Sequence, residues 1–431
     1  MSTNPESMKI FFDTIGCRLN QAEIEQMAGQ FRAAGHQILE SAVGADIVVV
    51  NTCSVTAAAA SDSRQKVRQV SHAGARKIIL TGCWATLESD QASALPGVVE
   101  VISNLDKMSI PLRVMNSEMT QYDLEPIARK PLPGAHQRTR AFIKAQDGCN
   151  NICTFCVTRL ARGSGKSVPK ELVLNAICLA EKGDAHEVVL TGVHLGSWGS
   201  EMNSHETITD LIDYLLDNTS VDRIRLSSIE PWDLDKRFFS LWQNPRMCRH
   251  LHLPLQSGSA SVLKRMVRHN TPEAFAELVT IARKSIPGVA LTTDIIVGFP
   301  GETEEEFQES LAFVEQMTFS GGHVFRYSPR EGTAAARMTG RVHGDVVRER
   351  AEEMRIAIGE SESRYLNTMI GKQLQVLWEA SGVLGEKGWT LHGLSDNNIN
   401  VKANADHNRC NQIDTVQIER ALGLSLVGTI K

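Results

Sequence analysis

Three cysteines stand close together in the run QDGCNNICTFC, at Cys149, Cys153 and Cys156, and are called the loop cysteines below. The nearest histidines in the sequence are His136 and His186, too far along the chain to complete a local zinc knuckle. A structural zinc site is closed by four protein ligands, whereas a 4Fe-4S cluster held by three cysteines leaves one iron open to an outside ligand. The spacing therefore favours an iron–sulfur cluster over zinc.

The CxxxCxxC spacing follows a predicted strand, Arg140–Ala145. It resembles the signature of radical S-adenosylmethionine (SAM) enzymes, in which SAM chelates the open iron through its amino and carboxyl groups. A zinc site and three merely buried cysteines are the alternatives at this point.

The length of 431 residues predicts two or three domains, because one hydrophobic core stops growing near ~250–300 residues. The sequence has no uncharged apolar stretch of ~18 residues, and its start lacks the regions of a signal peptide. A cytoplasmic protein without a membrane partner is expected. In such a chain, the nine cysteines are predicted to be metal ligands or buried thiols rather than disulfides.

Charge is unevenly distributed along the chain. The net charge of −5 argues against binding nucleic acid with the whole surface. The segment Gln137–Lys170 nevertheless carries seven basic residues and one acidic residue, Asp147. The basic residues are Arg138, Arg140, Lys144, Arg159, Arg162, Lys166 and Lys170. They predict either a solvated basic face or contact with a phosphate-rich partner.

Three more cysteines, called the strand-end cysteines, follow strand-like runs near the start of the chain. Cys17, Cys53 and Cys83 end the runs KIFFDTIGC, DIVVVNTC and KIILTGC, which alternate with helical stretches as in a parallel sheet. Ligands collect at the carboxyl ends of such strands, so the three sulfurs are predicted to converge on a second metal site. Ordinary buried cysteines are the alternative. Asn20 and Asn51 are candidates to cap loops near the sulfurs, with local turn bonding as the favoured role. Cys178, Cys248 and Cys410 are interpreted as structural.

The middle of the chain predicts a partial, laterally open barrel, since six strands in roughly 190 residues are too few for a complete one. The strands expected after Arg140–Ala145 are Glu187–Thr191, Arg223–Leu226, His250–Leu253, Leu291–Val297 and His323–Tyr327. Helical patterns such as Pro169–Lys182, Pro272–Lys284 and Thr303–Met317 separate them. An open side can admit a macromolecule.

Loops after these strands are expected to bind the cofactor. Glycines would allow backbone to approach it, and polar side chains would bond its polar groups; the candidates are Gly192, Gly298, Gly301, Ser228 and Gln256. The run GFPGET has an alternative role as a strand, a turn and a helix cap at Thr303. His250 and His252 are interpreted as strand residues.

The carboxyl-terminal part predicts a long helix, His343–Arg364, followed by a small OB-like β-barrel. The expected strands are Gln373–Trp378, Trp389–Gly393, Ile399–Val401, Thr415–Glu419 and Leu424–Ile430. Such barrels often bind RNA, but this module carries six basic and six acidic residues between Ile370 and Lys431. Its neutrality leaves RNA contact and simple packing as two interpretations.

The whole chain resembles the radical SAM methylthiotransferase family. The resemblance rests on GCRLNQAE, NTCSVT, TGC, DGCNNICTFC and GFPGETEEEF, in the family's order. It implies a methylthiotransferase domain over residues 1–135, a radical SAM barrel over 136–366 and a TRAM domain over 367–431. GCRLNQ, RLSSIEP and YSPREGT are most similar to the branch that acts on threonylcarbamoyladenosine in tRNA.

The resemblance also implies a mechanism with two 4Fe-4S clusters and SAM. The loop cysteines would hold the cluster that reduces SAM to a 5′-deoxyadenosyl radical, and the strand-end cysteines a cluster that carries sulfur for insertion at C2 of the adenine. The implied partners are the tRNA anticodon stem-loop, an electron donor such as a flavodoxin or ferredoxin, and a sulfur source. Alternative substrates within the family are isopentenyladenosine in tRNA and an aspartate of a ribosomal protein. A non-catalytic iron–sulfur RNA-binding protein is the alternative from another class.

Overall fold

The structure is a computed structural model that describes residues 7–115, 139–380, 382–385 and 388–431. The chain forms two compact units. The first consists of Met1–Asn150, Val157–Ala185 and Thr191–Val193, and the second of Asn151–Cys156, His186–Leu190 and His194–Lys431. The predicted boundary at residue 135 lies outside the described residues, so the division into three domains stays a prediction.

The first unit contains a parallel sheet of five strands, as the alternating pattern predicted. In spatial order the strands are Gln37–Ile38, Lys9–Thr14, Ile47–Thr52, Ile78–Gly82 and Val98–Val101. The run IVVVNT is buried at every position, because a parallel sheet covered on both faces leaves no side of a central strand to solvent. The next strand along the chain, Gln37–Ile38, lies on one side of Lys9–Thr14, and the one after it, Ile47–Thr52, lies on the other side. This reversal of strand order creates a topological switch point beside Lys9–Thr14.

Helices cover both faces of this sheet. Phe31 of one helix packs with Phe12 on one face, and Val67 of another packs with Val48 on the other. Thr56 begins the second of these helices by accepting a hydrogen bond from the Ala59 backbone. The α-helices of the unit are Arg18–Ala33, Ala57–His72, Cys83–Leu87, Ser89–Ser93, Ile110–Met115, Thr158–Arg162 and Lys170–Lys182. The unit also holds the strand Arg140–Lys144 and a short pair, Gln146–Asp147 with Lys166–Ser167.

The second unit begins with the remaining strands of the partial barrel, and all six predicted strands are therefore present. The five in this part of the chain are Glu187–Thr191, Arg223–Leu226, His250–His252, Ala290–Val297 and Gly321–Arg326. They pair in parallel, and the bridge from Ser228 to His252 links the second strand to the third. The intervening α-helices are Ile208–Asn218, Ala260–Met266, Pro272–Ser285 and Glu304–Met317, and Gly344–Asn367 follows the last strand.

A closed barrel of five strands ends the chain, as predicted. Its strands are Gln373–Trp378, Gly388–Ser395, Asn400–Ala405, Ile413–Leu422 and Ser425–Ile430. The barrel closes because the first strand pairs with both the second and the fourth. A further strand, Val383–Gly385, forms a hairpin with Gly388–Ser395.

Two arginines attach this terminal barrel to the partial barrel within the second unit. Arg225 is fully buried, binds Glu187 at 2.7 Å, and donates to the carbonyl oxygens of Ser395 and Asp396 at 3.0 and 3.2 Å. Arg249 forms a two-pronged ion pair with the Asp396 carboxylate at 2.5 and 3.0 Å. Charge-assisted hydrogen bonds therefore contribute to the attachment, with Arg225 fully buried and Arg249 partly exposed.

Among the described residues, no helix is both long enough and apolar enough to cross a membrane.

Candidate functional site

The strand-end cysteines lie at the carboxyl ends of three neighbouring strands of the first unit. Cys17 follows Lys9–Thr14 by three residues, and Cys53 and Cys83 come directly after Ile47–Thr52 and Ile78–Gly82. Cys17 is exposed, Cys83 is half-buried, and Cys53 is only 4% exposed. The three cysteines therefore lie at one edge of the sheet, as the sequence predicted.

Two glycines allow close approach at this edge. Gly16 has a φ of 112°, and a Cβ there would lie 2.7 Å from both Cβ and Sγ of Cys53. Gly82 has a φ of 97°, and a Cβ there would lie 2.2 Å from the carbonyl oxygen of Thr52. Side chains at these positions would collide with the strand that carries Cys53.

Asparagines connect the loops around these cysteines, and they reach further than the predicted turn bonds. Asn20 donates to the carbonyl oxygens of Ile15 at 2.8 Å and Thr52 at 3.3 Å, and its Oδ1 lies 3.8 Å from Sγ of Cys17. Asn51 in turn donates to the carbonyl oxygen of Asn20 at 3.2 Å. The predicted local role of these two residues is thus too narrow, since their bonds join the first strand loop to the second.

Asn104 supports the third cysteine. Its Nδ2 lies 3.5 Å from Sγ of Cys83 and donates to the carbonyl oxygen of Ala161 at 3.0 Å. The residue is 6% exposed and was not identified from the sequence.

Burial raises the pKa of the Cys53 thiol to about 11, and the neighbouring Cys17 and Cys83 add to the shift. A free Cys53 is therefore a neutral thiol at neutral pH, and metal binding there must release its proton.

A group of charged side chains, called the buried ion cluster below, lies in the same unit. Glu23 is 0% exposed and contacts Lys107 at 2.6 Å, Arg162 at 3.0 Å and Lys144 at 3.3 Å. Asp147 contacts Arg162 at 2.9 Å and Lys144 at 3.0 Å. Three cations and two carboxylates leave the cluster with one excess positive charge.

Both carboxylates of the buried ion cluster are ionised. Burial alone would raise the pKa of Glu23, but Lys107, Arg162 and Lys144 together hold it well below its usual value. The pKa of Asp147 is likewise lowered, because Arg162 and Lys144 outweigh the effect of burial. The arrangement places fixed positive charge close to the strand-end cysteines.

The donor set at the strand-end cysteines is three thiols, which a zinc ion or a 4Fe-4S cluster can take as ligands. Sulfurs around one zinc would stand roughly 3.8 Å apart, given Zn–S bonds of about 2.3 Å in a tetrahedron. A 4Fe-4S cluster binds each thiolate through a different iron and keeps its ligands further apart. Three thiols beside net positive charge fit such an anionic group.

The loop cysteines are divided between the two units along the chain. Cys149 belongs to the first unit, and Cys153 and Cys156 belong to the second. Cys153 is half-buried and Cys156 is exposed. Thr154 fixes this part of the loop by donating to the carbonyl oxygens of Met266 and Arg265 at 3.1 and 3.0 Å.

Arg268 is the charged neighbour of Cys153 in the second unit. Its Nη1 lies 3.9 Å from Sγ of Cys153, and its guanidinium binds both oxygens of Glu230 at 3.0 and 2.5 Å. The guanidinium also stacks on Trp232, 4.5 Å from the ring centre. Burial raises the pKa of Cys153 to about 11, and Arg268 opposes that rise.

The predicted cofactor residues occupy several loops, and nothing in the described structure tests their contact with SAM. Gly192 lies in the first unit, while Ser228 and Gln256 are half-buried in the second. Gln256 has a φ of 69°, and its backbone bonds to Asp294 and Ile296. Contact of these residues with the cofactor stays a prediction.

Gly298 and Gly301 have structural reasons to be glycine. A Cβ at Gly298 would lie 2.5 Å from Val347, and Gly301 has a φ of 75° and donates its backbone N–H to Gly340 at 2.7 Å. The helix cap considered for GFPGET is present, since Thr303 and Glu306 form a reciprocal capping box. Any contact of the two glycines with a ligand stays a prediction.

Glu306 also joins two helices. It binds Arg265 at 2.5 Å, and this hydrogen bond lowers the pKa of the Glu306 carboxyl to about 2. The carboxylate is therefore charged at neutral pH.

The histidines and spare cysteines take the structural positions predicted for them. His250 and His252 lie in a strand, and each contacts Oγ1 of Thr292 at 2.9 Å. Cys248 is buried, and Cys178 and Cys410 are half-buried.

The basic segment is only in part a solvated face. Gln137 and Arg138, like His136, lie outside the described residues. Arg162 and Lys144 are held by Glu23 and Asp147, so the prediction that all seven cations face solvent or phosphate is wrong for these two. Arg159 and Lys166 are exposed and keep the predicted character.

Two family models match this chain, and each matched region contains one of the two cysteine sets. Residues 9–103 match the model described as uncharacterized protein family UPF0004, and residues 143–314 match the radical SAM superfamily. Membership in that superfamily implies SAM and a 4Fe-4S cluster as cofactors.

The solved structure of TsrM, a radical SAM methyltransferase from Kitasatospora setae, has the same fold with a TM-score of 0.54 at 12% identity. The alignment covers 77% of each chain. This likeness supports the fold alone.

Two curated relatives align along nearly the whole chain. Threonylcarbamoyladenosine tRNA methylthiotransferase MtaB of Bacillus subtilis is 35% identical over 96% of this chain and 94% of its own length. The tRNA-2-methylthio-N(6)-dimethylallyladenosine synthase of Staphylococcus haemolyticus is 29% identical over 97% of this chain and 84% of its own length. The cysteine positions, the fold and this full-length similarity agree. The chain belongs to the radical SAM tRNA methylthiotransferase family.

Proposed function

We propose that the chain converts N6-threonylcarbamoyladenosine next to the anticodon of tRNA into its 2-methylthio derivative. One observation carries the proposal: over almost the same share of the chain, identity is higher to the threonylcarbamoyladenosine enzyme than to the dimethylallyladenosine enzyme. The runs RLSSIEP and YSPREGT agree with this branch.

The two cysteine sets are proposed to bind two different 4Fe-4S clusters. The loop cysteines would hold the cluster that binds SAM, and the strand-end cysteines would hold a second one. When bound, the first supplies the radical chemistry that removes a hydrogen from the adenine, and the second supplies methylated sulfur. The protein contributes ligands, orientation and exclusion of water.

Residues of the first unit prepare the strand-end site. Because Gly16 and Gly82 lack side chains, their loops can pack closely against Cys53 and Thr52. Asn104 contacts the sulfur of Cys83. Binding there converts Cys53 from thiol to thiolate, and the excess positive charge of the buried ion cluster favours that negative form.

Residues of the second unit prepare the loop site. Arg268 places a buried positive charge beside Cys153, and Glu230 and Trp232 keep its guanidinium in that position. Ser228 and Gln256 are proposed to bond the polar groups of SAM, with Gly298 and Gly301 shaping the surrounding loops of this unit. Gly192, in the first unit, is proposed as a further cofactor-binding residue.

The proposed partners follow from the substrate. Exposed Arg159 and Lys166 would contact phosphates of the anticodon stem-loop, and the terminal barrel, proposed to be a TRAM domain, would contact RNA beside it. A flavodoxin or ferredoxin would supply electrons, and a separate sulfur source would renew the sulfur. We place this reaction in the cytoplasm.

The test is mass spectrometry of nucleosides from tRNA of a strain that lacks the gene. The strain is complemented with the parent chain, with Cys17→Ala, or with Cys178→Ala as a matched control outside both cysteine sets. We expect 2-methylthio-N6-threonylcarbamoyladenosine to return with the parent and the control but not with Cys17→Ala.

Each other result has a defined meaning. Return of only the 2-methylthio isopentenyl derivative would assign the chain to the other tRNA substrate. If the parent changed neither nucleoside, the tRNA proposal would fail and a ribosomal protein would be the next substrate to examine. A non-catalytic role would be supported if the purified chain also failed to bind SAM.

A further inference from the structure

A short helix that follows the loop cysteines makes contact with the neighbours of the strand-end cysteines. The helix Thr158–Arg162 begins two residues after Cys156 and, like the strand-end cysteines, belongs to the first unit. Its last residue, Arg162, donates through Nη2 to Oδ1 of Asn20 at 2.6 Å. That same Oδ1 lies 3.8 Å from Sγ of Cys17. One side chain therefore separates the guanidinium from the sulfur.

The same helix also reaches the third cysteine. The carbonyl oxygen of Ala161 accepts the bond from Asn104, whose Nδ2 lies 3.5 Å from Sγ of Cys83. Two asparagines, one on each side, thus hold the helix against the edge of the sheet. Neither contact has a counterpart in a local sequence pattern, because Arg162 and Asn20 are 142 positions apart.

The charge of Arg162 is fixed and poorly screened. Its side chain is 2% exposed, and it binds Glu23 and Asp147 at 3.0 and 2.9 Å. The buried ion cluster to which Arg162 belongs has one more cation than carboxylates, so the cluster as a whole keeps a net positive charge. Solvent and salt weaken a buried charge much less than an exposed one.

A fixed positive charge affects a cluster in a predictable direction. Reduction adds one negative charge to the cluster, so a nearby cation stabilises the reduced form and raises the reduction potential. Net charge, hydrogen bonds near the sulfurs and solvent exposure are the properties by which a protein sets that potential. Arg162 supplies the first. Asn20 adds no hydrogen bond to a Cys17 thiolate, because it faces Sγ with its acceptor Oδ1 while its Nδ2 donates to Ile15 and Thr52.

We propose that Arg162 is a positioning residue for the strand-end cysteines: it holds Asn20 beside Cys17 and raises the reduction potential of the cluster bound there. The inference rests on the proposed function, since it requires a cluster at these three cysteines. Arg162, which belongs to neither cysteine set, would thus help to set the reduction potential of the cluster that donates sulfur.

The test uses the full chain with alanine at all three loop cysteines, so that only the strand-end cluster remains. Iron per chain is measured first, and the midpoint potential is then measured by redox titration followed by electron paramagnetic resonance. Into this parent we introduce Arg162→Met, which removes the charge at similar length, and Arg162→Lys, which keeps it.

We expect Arg162→Met to shift the midpoint to a more negative potential and Arg162→Lys to recover most of the shift. Lys144→Met is the matched control, because it removes a cation from the same buried ion cluster without a bond to Asn20. Lys144 is 17% exposed, so its loss is expected to shift the midpoint less. Asp147→Asn removes a negative charge and should shift the midpoint in the opposite direction.

The outcomes separate this inference from the proposed function. If the parent binds no iron, the second cluster of the proposed function fails and this inference fails with it. If the parent binds iron but Arg162→Met keeps its midpoint, this inference alone is overturned. Should Arg162→Met not fold, Asp147→Asn decides: an upward shift supports electrostatic control, and an unchanged or lower midpoint overturns it.

Discussion

Gly16→Ala should damage the strand-end site without altering any of its ligands. Two costs can be assigned from the structure. A non-glycine residue at a φ of 112° is strained by ~1–3 kcal/mol. A Cβ only 2.7 Å from Cβ and Sγ of Cys53 overpacks a buried contact, which costs a further ~1–3 kcal/mol. The expected loss in free energy of unfolding is therefore ~2–6 kcal/mol.

Gly35→Ala is the matched control for this change. Gly35 also has a positive φ, of 84°, but a Cβ there meets nothing within 4 Å. The control should lose only the strain part, ~1–3 kcal/mol. Urea denaturation of the two apoproteins measures the difference, which isolates the contact with Cys53.

Iron content gives the functional half of the same experiment. After anaerobic reconstitution, Gly35→Ala should bind as much iron per chain as the parent. Gly16→Ala should bind about half, because one of the two proposed four-iron clusters would lose its buried ligand Cys53. Equal stability and equal iron in the two variants would refute the reasoning that Gly16 exists to admit Cys53.

Cys149→Ala should abolish reductive cleavage of SAM, whereas Cys17→Ala should keep cleavage and lose methylthiolation. Chromatography of 5′-deoxyadenosine measures cleavage, and chromatography of modified nucleosides measures methylthiolation. Equal loss of cleavage in the two variants would contradict separate roles. Gly298→Ala should lower the free energy of unfolding by ~2–6 kcal/mol, because a Cβ there lies 2.5 Å from Val347. Adding Val347→Ala should restore the part of this loss that comes from overpacking, as measured by chemical denaturation. No recovery would point to another contact. Glu306→Gln should be less stable than the parent at pH 7. Because the folded pKa of about 2 lies below the ordinary value of 4.5, the carboxylate stabilises the fold above that ordinary value, and this contribution is lost as pH falls toward 2. Denaturation at neutral and acidic pH should show the difference closing in acid, and a constant difference would disprove the linkage.

Strands were predictable where a short apolar run is bounded by turn residues. Arg223–Leu226 and Gln373–Trp378 have the predicted bounds, since each combines β-branched or aromatic residues with a clear end. Gln37–Ile38 and Val98–Val101 were not predicted, because these short strands at the edges of the sheet are only partly buried and carry little periodic signal.

The position of the strand-end cysteines at one edge of the sheet was predictable, because strand runs and residue type are local properties of the sequence. Cluster binding at either cysteine set stays a prediction. Their supporting residues were not. Glu23 and Arg162 stand 139 positions apart, and Arg268 stands 115 positions from Cys153. Contacts of this kind follow from how strands and helices pack, and one sequence contains no local signal for them. The segment Gln137–Lys170 illustrates the limit: its charge was visible, but the two cations that are paired inside the protein could be recognised only in the fold.

The attachment of the terminal barrel has a consequence for how this chain can be cut or recombined. Arg225 is fully buried, and two of its acceptors are carbonyl oxygens of Ser395 and Asp396. Truncation before the terminal barrel would remove those acceptors together with the carboxylate that pairs with Arg249, and it would leave Arg225 with Glu187 as its remaining partner. Losing these charge-assisted hydrogen bonds is expected to destabilise the fold. A chimaera with the terminal module of a relative should therefore be built with an aspartate at the position of Asp396.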